Sequence, residues 1–130
     1  NGEGLPVLEY NTLSSSSYRQ MSEFFEKSLS QLGIKIRVNT YTWPEFIAAL
    51  KNKKGHMWGY AWSADYPDAE NFLQLFYSKN VSPGPNDSNY SNPEFDKLYE
   101  ASLKLNDSPA RTALYQKMAK ILVEDAPWVW

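Results

Sequence analysis

The apolar residues in the first part of the chain follow two different periods. Residues 5–10 alternate weakly and predict a strand, and residues 34–41 alternate with a period of two, which is typical of a strand with one buried face. Between these segments an apolar residue recurs at every third or fourth position, which predicts a helix. The apolar stripe of that helix consists of Tyr18, Met21, Phe25, Leu29 and Leu32.

Capping signals mark both ends of this first helix. Ser17 stands three residues before Gln20, which is the spacing of a capping box. Gly33 directly follows the stripe, where a residue in the left-handed conformation commonly ends a helix. The sequence therefore predicts a helix that begins near Ser17 and ends before Gly33.

A second helix is predicted directly after residue 41. Thr42 and Glu45 have the capping-box spacing, and Gly55 is expected to end the helix. Its predicted buried residues are Phe46, Ile47 and Leu50. Residues 57–62 then form an apolar run without alternation, which is typical of a strand buried on both faces. This order of strands and helices predicts a β-α-β-α-β layer of the α/β class with crossover connections.

A turn at residues 63–68 follows the third strand and precedes a short apolar helix around residues 72–76. Residues 77–91 are rich in Ser, Asn, Pro and Gly and predict a surface loop. Loops of this length inside a compact domain are often functional or mobile.

Two further helices are predicted by a capping residue that stands directly before a proline. These pairs are Asn92-Pro93 and Ser108-Pro109. Residues 128–130 are apolar and are expected to begin another strand. Because the ends of natural chains are usually polar and mobile, we expect the sequence to be a fragment of a longer protein.

Composition and charge narrow the possible functions. The 130 residues are 42% hydrophobic and 22% charged, as in an average soluble domain, and no apolar run approaches the roughly 18 residues of a membrane span. A formal charge of −2 argues against a nucleic-acid partner. The absence of cysteine and the single histidine exclude thiol catalysis, thiolate metal centres and a multi-histidine metal site. No metal and no cofactor is expected.

The turn after the third strand holds the best candidates for binding chemistry. Trp62, Asp65, Tyr66 and Asp68 lie within seven residues of one another. In open α/β sheets ligands bind beyond the carboxyl ends of strands, and an aromatic ring beside a carboxylate suits a ligand with an apolar body and a positive group. Alternatively, Asp65 or Asp68 caps the helix that follows. The residues alone leave both interpretations open.

A hydrolase is a weaker alternative. Asp65, Asp68 and Glu70 are close enough in sequence to propose an acid and base pair for glycoside hydrolysis. Acidic residues are also common where helices begin, because they complement the helix dipole, and we therefore expect no enzyme. His56 is expected to be an ordinary residue at the edge of a strand.

The segment WSADYPDAENFLQLF, residues 62–76, closely resembles a signature of the family 5 extracellular solute-binding proteins. These are the dipeptide- and oligopeptide-binding components of bacterial ABC importers. Four flanking segments are similar to the family in the same order, so the resemblance extends from about Leu8 to Trp130. They are LGIKIRV, TWPEFIAALKNKKGHMWGYAW, NYSNPEFDKLYEAS and RTALYQKMAKILVEDAPWV.

The resemblance implies a two-lobed, clamp-like fold of the periplasmic-binding type. It implies that residues 1–130 form a single partial domain, part of the C-terminal lobe, with the N-terminal lobe absent. It also implies a solute-binding protein in the periplasm or outside the cell, associated with the outer side of the membrane. The parent protein is expected to carry a signal peptide, and the implied partner is an ABC permease of the inner membrane.

The resemblance further implies a ligand site. The family's aspartate that pairs with the α-ammonium group of a peptide matches Asp65, Trp62 is expected to line the cleft, and Ser63 is expected to offer backbone contacts. Ala69 departs from the proline found in many members. Because some relatives carry nickel complexes, sugars or opines, a non-peptide solute is the alternative.

Overall fold

Three parallel strands form the sheet in the computed structural model, which describes residues 2–129. They are β1 (Leu8–Leu13), β2 (Ile36–Tyr41) and β3 (Met57–Gly59), in the spatial order β2-β1-β3. Leu8 lies opposite Ile36 in the parallel register. The predicted parallel layer is confirmed, although β1 begins three residues later than the sequence pattern suggested.

Helix α1 (Ser16–Ser30) begins earlier than its predicted cap. The capping residue is Ser15, whose Oγ accepts a hydrogen bond from the N–H of Tyr18 at 3.4 Å, so Ser17 lies inside the helix. At the other end Gly33 is left-handed, with φ +75°, as predicted. The run of four serines allows several caps, and the prediction of the N-terminal cap was therefore wrong by two residues.

The predicted apolar stripe of α1 is only partly buried. Phe25 stacks on Tyr10 of β1 with ring centres 5.8 Å apart, but Met21 and Leu32 are 55% and 59% exposed. The buried residue of the helix is Ser22, which lies about 100° around the helix from Met21. Its Oγ donates to the carbonyl of Tyr18 at 2.7 Å, so a polar residue occupies the inner face without an unpaired group.

Helix α2 (Trp43–Lys51) has the predicted capping box. Glu45 Oε2 accepts from the N–H of Thr42 at 3.0 Å and from its hydroxyl at 2.7 Å, and these bonds lower the pKa of Glu45. The buried residues of the helix are Phe46, Ala49 and Leu50. The end of the helix differs from the prediction, because Lys53, with φ +54°, takes the left-handed position before Gly55.

Strand β3 is shorter and more exposed than predicted. Residues 57–62 were expected to be buried on both faces, whereas the strand comprises Met57–Gly59 and each of its residues is only half-buried. The sheet order gives the reason, since β3 lies at an edge and pairs with β1. His56, next to this edge, accepts a hydrogen bond at Nδ1 from the N–H of Glu9 at 2.9 Å, as suits an edge residue.

The chain divides into two compact units, and the boundary lies between Ala61 and Trp62. The second unit contains α3 (Glu70–Leu73), α4 (Pro93–Ser102) and α5 (Pro109–Asp125). Its hydrophobic core consists of Leu73, Leu75, Phe76, Phe95, Tyr99, Met118 and Leu122. Within residues 2–129, none of the helices has the length and apolar character that crossing a membrane requires.

Both predicted proline-associated caps of the second unit are confirmed. Asn92 Oδ1 accepts from the N–H groups of Glu94 at 2.9 Å and Phe95 at 3.2 Å. Ser108 Oγ accepts from the N–H of Arg111 at 3.3 Å. These caps satisfy donors that have no partner inside the helix.

The segment at residues 77–91 folds around an asparagine. It contains a short 3-10 helix (Ser78–Asn80), and Asn86 is completely buried. The Asn86 amide donates to the carbonyls of Tyr77 at 3.0 Å and Tyr90 at 2.9 Å. A polar sequence can thus enclose a buried residue when that residue bonds to the backbone.

The end of the described chain is not a strand. Ala126 is left-handed, with φ 44°, and residues 126–129 have no strand pairing. Trp128 instead packs on Phe76, with ring centres 4.6 Å apart. The prediction of a strand is therefore wrong for residues 128 and 129, and Trp130 lies outside the described residues.

Candidate functional site

The candidate site is the turn at residues 62–68, which opens the second unit and is called the binding turn below. Trp62 is half-buried and packs against the hydrophobic core of that unit. Its indole Nε1–H donates to Asn71 Oδ1 at 2.8 Å. The indole is therefore fixed both by packing and by a hydrogen bond.

Asp65 presents an exposed carboxylate in the binding turn. Its backbone N–H donates to Asn71 Oδ1 at 3.2 Å, and its Oδ2 accepts from Asn71 Nδ2 at 3.4 Å. Among the described residues, no lysine or arginine forms an ion pair with it. Ser63 is also exposed. The carboxylate is thus held by a neutral amide while its charge remains uncompensated.

Asn71, on α3, is the residue of the site that sequence reasoning missed. It is completely buried and bonds to both Trp62 and Asp65. Phe72, which was expected to be an apolar residue of the short helix, is 44% exposed. The signal in the sequence was weak, because one asparagine in a helix of four residues creates no periodicity.

Asp68 has a structural role at the far end of the binding turn. Its Oδ1 accepts from the N–H of Glu70 at 2.9 Å and from the hydroxyl of Tyr115 at 2.9 Å, and its Oδ2 pairs with Arg111. The Glu70 N–H is the main reason that the pKa of Asp68 lies below its usual value. Asp68 therefore bonds to the backbone at the start of α3, as the capping interpretation expected, although the N-cap position itself is Ala69. Within the described residues, Asp65 accepts only the side-chain bond from Asn71.

Glu70 is bound by two tyrosines. One carboxylate oxygen accepts from the hydroxyl of Tyr66 and the other from the hydroxyl of Tyr99. A hydrolase would need one carboxyl group with a raised pKa as its acid, but the pKa of Asp68 is lowered. Asp68 and Glu70 are thus engaged in holding the turn and the helices together.

The geometry suits recognition of a cation by one carboxylate beside an aromatic ring. An ammonium group that bonds to Asp65 would form a charge-assisted hydrogen bond, about twice as strong as a neutral one. The neighbouring indole has a fixed position, because it packs against the hydrophobic core and bonds to the same asparagine as Asp65.

Comparison with protein families now identifies the chain. The family model described as "Bacterial extracellular solute-binding proteins, family 5 Middle" matches residues 1–84, which is more than half of the sequence. The chain belongs to this family. The resemblance predicted from residues 62–76 is therefore confirmed.

Curated relatives are similar across most of the chain. Di/tripeptide-binding protein 1 of Pseudomonas aeruginosa is 31% identical over 107 residues, which cover 82% of this chain and 20% of the relative. The oligopeptide-binding protein OppA of Bacillus subtilis is 30% identical, with coverages of 92% and 22%. Heme-binding protein A of Haemophilus influenzae is 29% identical, with coverages of 85% and 20%. The chain thus spans about a fifth of the length of these relatives.

Solved structures of periplasmic binding proteins share the fold. The ABC transporter-associated periplasmic binding protein DppA of Helicobacter pylori, in complex with the peptide STSA, has a TM-score of 0.86 at 27% identity. The match covers 94% of this chain and 24% of that one. The Escherichia coli murein tripeptide binding protein MppA has a TM-score of 0.88 at 25% identity, with coverages of 97% and 25%. The predicted α/β class and the periplasmic-binding type of fold are confirmed.

Proposed function

We propose that this chain is the part of a family 5 solute-binding protein that recognises the amino terminus of a peptide. The observation that carries the proposal is the exposed carboxylate of Asp65 beside the fixed indole of Trp62. In this proposal Asp65 pairs with the ligand's α-ammonium group, Trp62 lines the cleft, and Ser63 offers backbone contacts.

The electrostatics favour such a ligand. Without a ligand the Asp65 carboxylate is exposed and solvated, so the cost of burying an unpaired charge does not arise. A bound peptide would exclude water from the pair, and the Trp62 ring would extend this shielding on one side. Because the Coulomb attraction grows as the effective dielectric constant falls, ligand burial strengthens the pair.

The relatives support a peptide as the solute. Di- and tripeptide-binding proteins of Pseudomonas aeruginosa are similar to the chain, and DppA of Helicobacter pylori is described in complex with a peptide. We infer that the full-length protein lies in the periplasm or outside the cell, on the outer side of the membrane, and delivers its solute to an ABC permease. The chain would be part of the C-terminal lobe of a clamp whose other wall lies in the N-terminal lobe.

A peptide titration of the full-length protein tests this function. We expect trialanine to bind, and we expect N-acetylation of the peptide or Asp65→Asn to weaken binding by about tenfold or more, since each removes a charge-assisted bond of about 1.5–3 kcal/mol. Isothermal titration calorimetry measures both effects. Asp107→Asn, at another exposed aspartate of the same unit, is the matched control and should leave the affinity unchanged. Equal affinity for the free and acetylated peptides would contradict the proposal.

A non-peptide solute is the second candidate, because heme-binding protein A is among the similar proteins. Haem has no ammonium group, so its binding would not depend on Asp65. Native mass spectrometry of the full-length protein, purified without denaturation, identifies any solute that co-purifies. A nickel complex, a sugar, an opine or a haem in that experiment would favour this candidate.

A further inference from the structure

We propose that Asn71 is a positioning residue that fixes the Trp62 indole and the Asp65 carboxylate relative to each other. This inference rests on the proposed function and deepens it, since it names the group that sets the geometry of the amine site. One buried amide bonds to both residues, through the Trp62 indole N–H, the Asp65 backbone N–H and the Asp65 carboxylate.

The chemistry of these partners determines how the amide is oriented. An indole N–H and a backbone N–H can only donate, so both must face the Asn71 oxygen, at 2.8 Å and 3.2 Å. The Asn71 nitrogen therefore faces the Asp65 carboxylate, where its N–H donates to Oδ2 at 3.4 Å. The amide uses its oxygen for these two donors and its nitrogen for the Asp65 carboxylate.

Burial makes this arrangement stable. Asn71 has no exposed surface, and leaving one of its polar groups without a partner would cost about 1–3 kcal/mol. Its backbone is also held, because its N–H donates to the Asp68 carbonyl at 3.1 Å and its carbonyl accepts from Gln74 Nε2 at 3.2 Å. The Asn71 side chain therefore has a fixed position relative to the binding turn.

The bond to Asn71 determines which oxygen of the Asp65 carboxylate faces a ligand. Asp65 Oδ2 accepts a long bond from Asn71 at 3.4 Å, so Oδ1 is the oxygen that keeps its full capacity to accept from a ligand donor. An alanine at position 71 would remove all three bonds and allow the indole and the carboxylate to adopt several orientations. The ligand would then have to pay the entropy of ordering them, and selectivity for a free amine would fall.

The rest of the turn has independent anchors, so the proposal can be tested without unfolding α3. Asp68 bonds to Arg111 and Tyr115, and Glu70 bonds to Tyr99, and none of these bonds involves Asn71. Asn86 offers a matched control in the same unit. It is also completely buried and donates to two backbone carbonyls, but it bonds to no residue of the binding turn.

The first readout is the ratio of affinities for trialanine and N-acetyl-trialanine, measured by calorimetry on the full-length protein. We expect Asn71→Ala to lower this ratio by about tenfold relative to the unchanged protein, which corresponds to about 1.4 kcal/mol. Asn86→Ala should leave the ratio unchanged even where it lowers stability. If Asn71→Ala does not fold, Asn71→Ser serves instead, because its shorter hydroxyl cannot replace the three bonds.

The second readout needs no ligand. The indole ¹H–¹⁵N resonance of Trp62, assigned with Trp62→Phe, should shift and exchange faster with water in Asn71→Ala but not in Asn86→Ala. If the Trp62 resonance is unchanged in Asn71→Ala, the proposed role of Asn71 is wrong. It is also wrong if the unchanged protein discriminates between the two peptides and Asn71→Ala shows the same ratio of affinities. If the unchanged protein does not discriminate between the two peptides, the proposed function fails, and the indole resonance still decides whether Asn71 holds Trp62.

Discussion

Two aspartates of the binding turn differ in their surroundings although they are three residues apart. Asp65 is exposed and accepts a single long bond from a neutral amide, whereas Asp68 accepts from a backbone N–H, a hydroxyl and a guanidinium. The difference assigns them different roles. Asp68 stabilises the junction of α3 with α5, and Asp65 keeps its charge available.

Replacing Asp68 by asparagine tests this assignment. Asp68→Asn keeps the size of the side chain but removes its charge, and we expect it to lower the free energy of unfolding at neutral pH by about 1–2 kcal/mol, discounted for partial exposure. Because the pKa of Asp68 is lower in the folded protein than in the unfolded chain, its contribution is present above the usual aspartate range. It is lost as pH falls through the lowered pKa.

Urea denaturation of both proteins across the acid range measures this effect. The difference between the two unfolding free energies should shrink as Asp68 becomes protonated. Asp65→Asn is the control and should change stability little at neutral pH, since Asp65 is exposed and unpaired with a cation. If the difference in unfolding free energy stays constant down to pH 2, the lost stability comes from the changed shape of the side chain and not from its lost charge.

Both crossover helices of the first unit end in the same hydrogen-bonded motif, but with different residues. After α1 the N–H of Gly33 donates to the Ser30 carbonyl, and the N–H of Ile34 donates to the Leu29 carbonyl. After α2 the N–H groups of Lys53 and Lys54 bond in the same way to Leu50 and Ala49. This is the Schellman motif, whose left-handed residue is usually glycine.

Exchanging the residue types at these two positions should have opposite effects. Gly33→Ala places a Cβ at φ +75° and within 3.1 Å of the Gly2 nitrogen, so we expect a loss of about 1–2 kcal/mol. Lys53→Gly relieves a left-handed lysine with φ 54°, and we expect a gain of up to about 1 kcal/mol. Thermal and urea unfolding measure both changes. A loss of stability in both variants would show that the backbone conformation is not what controls these helix ends.

Folding raises the pKa of most of the phenol groups in the molecule. Six of the nine tyrosines have a pKa above the ordinary value. Burial is the main cause for Tyr10, Tyr90, Tyr99 and Tyr115. For Tyr66 and Tyr77 it is the hydrogen bond to a carboxylate, Glu70 or Glu100.

We expect the protein to lose stability steeply in alkaline solution. A phenol whose pKa is raised by folding holds its proton longer in the folded state than in the unfolded state. Its contribution is complete below the unfolded value near about 10 and is lost as pH rises above it. Absorbance of tyrosinate against pH, with circular dichroism in parallel, should show that ionisation of these six phenols coincides with unfolding. Complete ionisation of the tyrosines with an unchanged circular dichroism spectrum would contradict this expectation.

Features that depend on residues close together in the sequence were predicted best. The caps at Thr42, Asn92 and Ser108 were predicted correctly, because each depends on residues at most three positions away. The cap of α1 was misplaced within a run of serines that all offer the same hydroxyl. Met21 is exposed although it belongs to the predicted apolar stripe. The spacing of apolar residues indicates which side of a helix is buried, but not which residue lies at the middle of that side.

The candidate site was only partly accessible to prediction. Asp65 and Trp62 stood out as residue types at the end of a strand, and similarity to the family pointed to the same positions. Their roles as ligand contacts remain predictions. The role of Asp68 depended on Arg111 and Tyr115, more than forty residues away, and no local pattern separates it from Asp65.

The amino-acid sequence by itself determined the order of the elements, most of their caps and the membership of family 5, because these depend on local hydrogen bonding and on residue order. Only the tertiary structure decided which faces are buried and that Asn71 joins Trp62 to Asp65. The physical reason is that a buried amide is stable only where three specific partners converge, and convergence is a property of the folded chain.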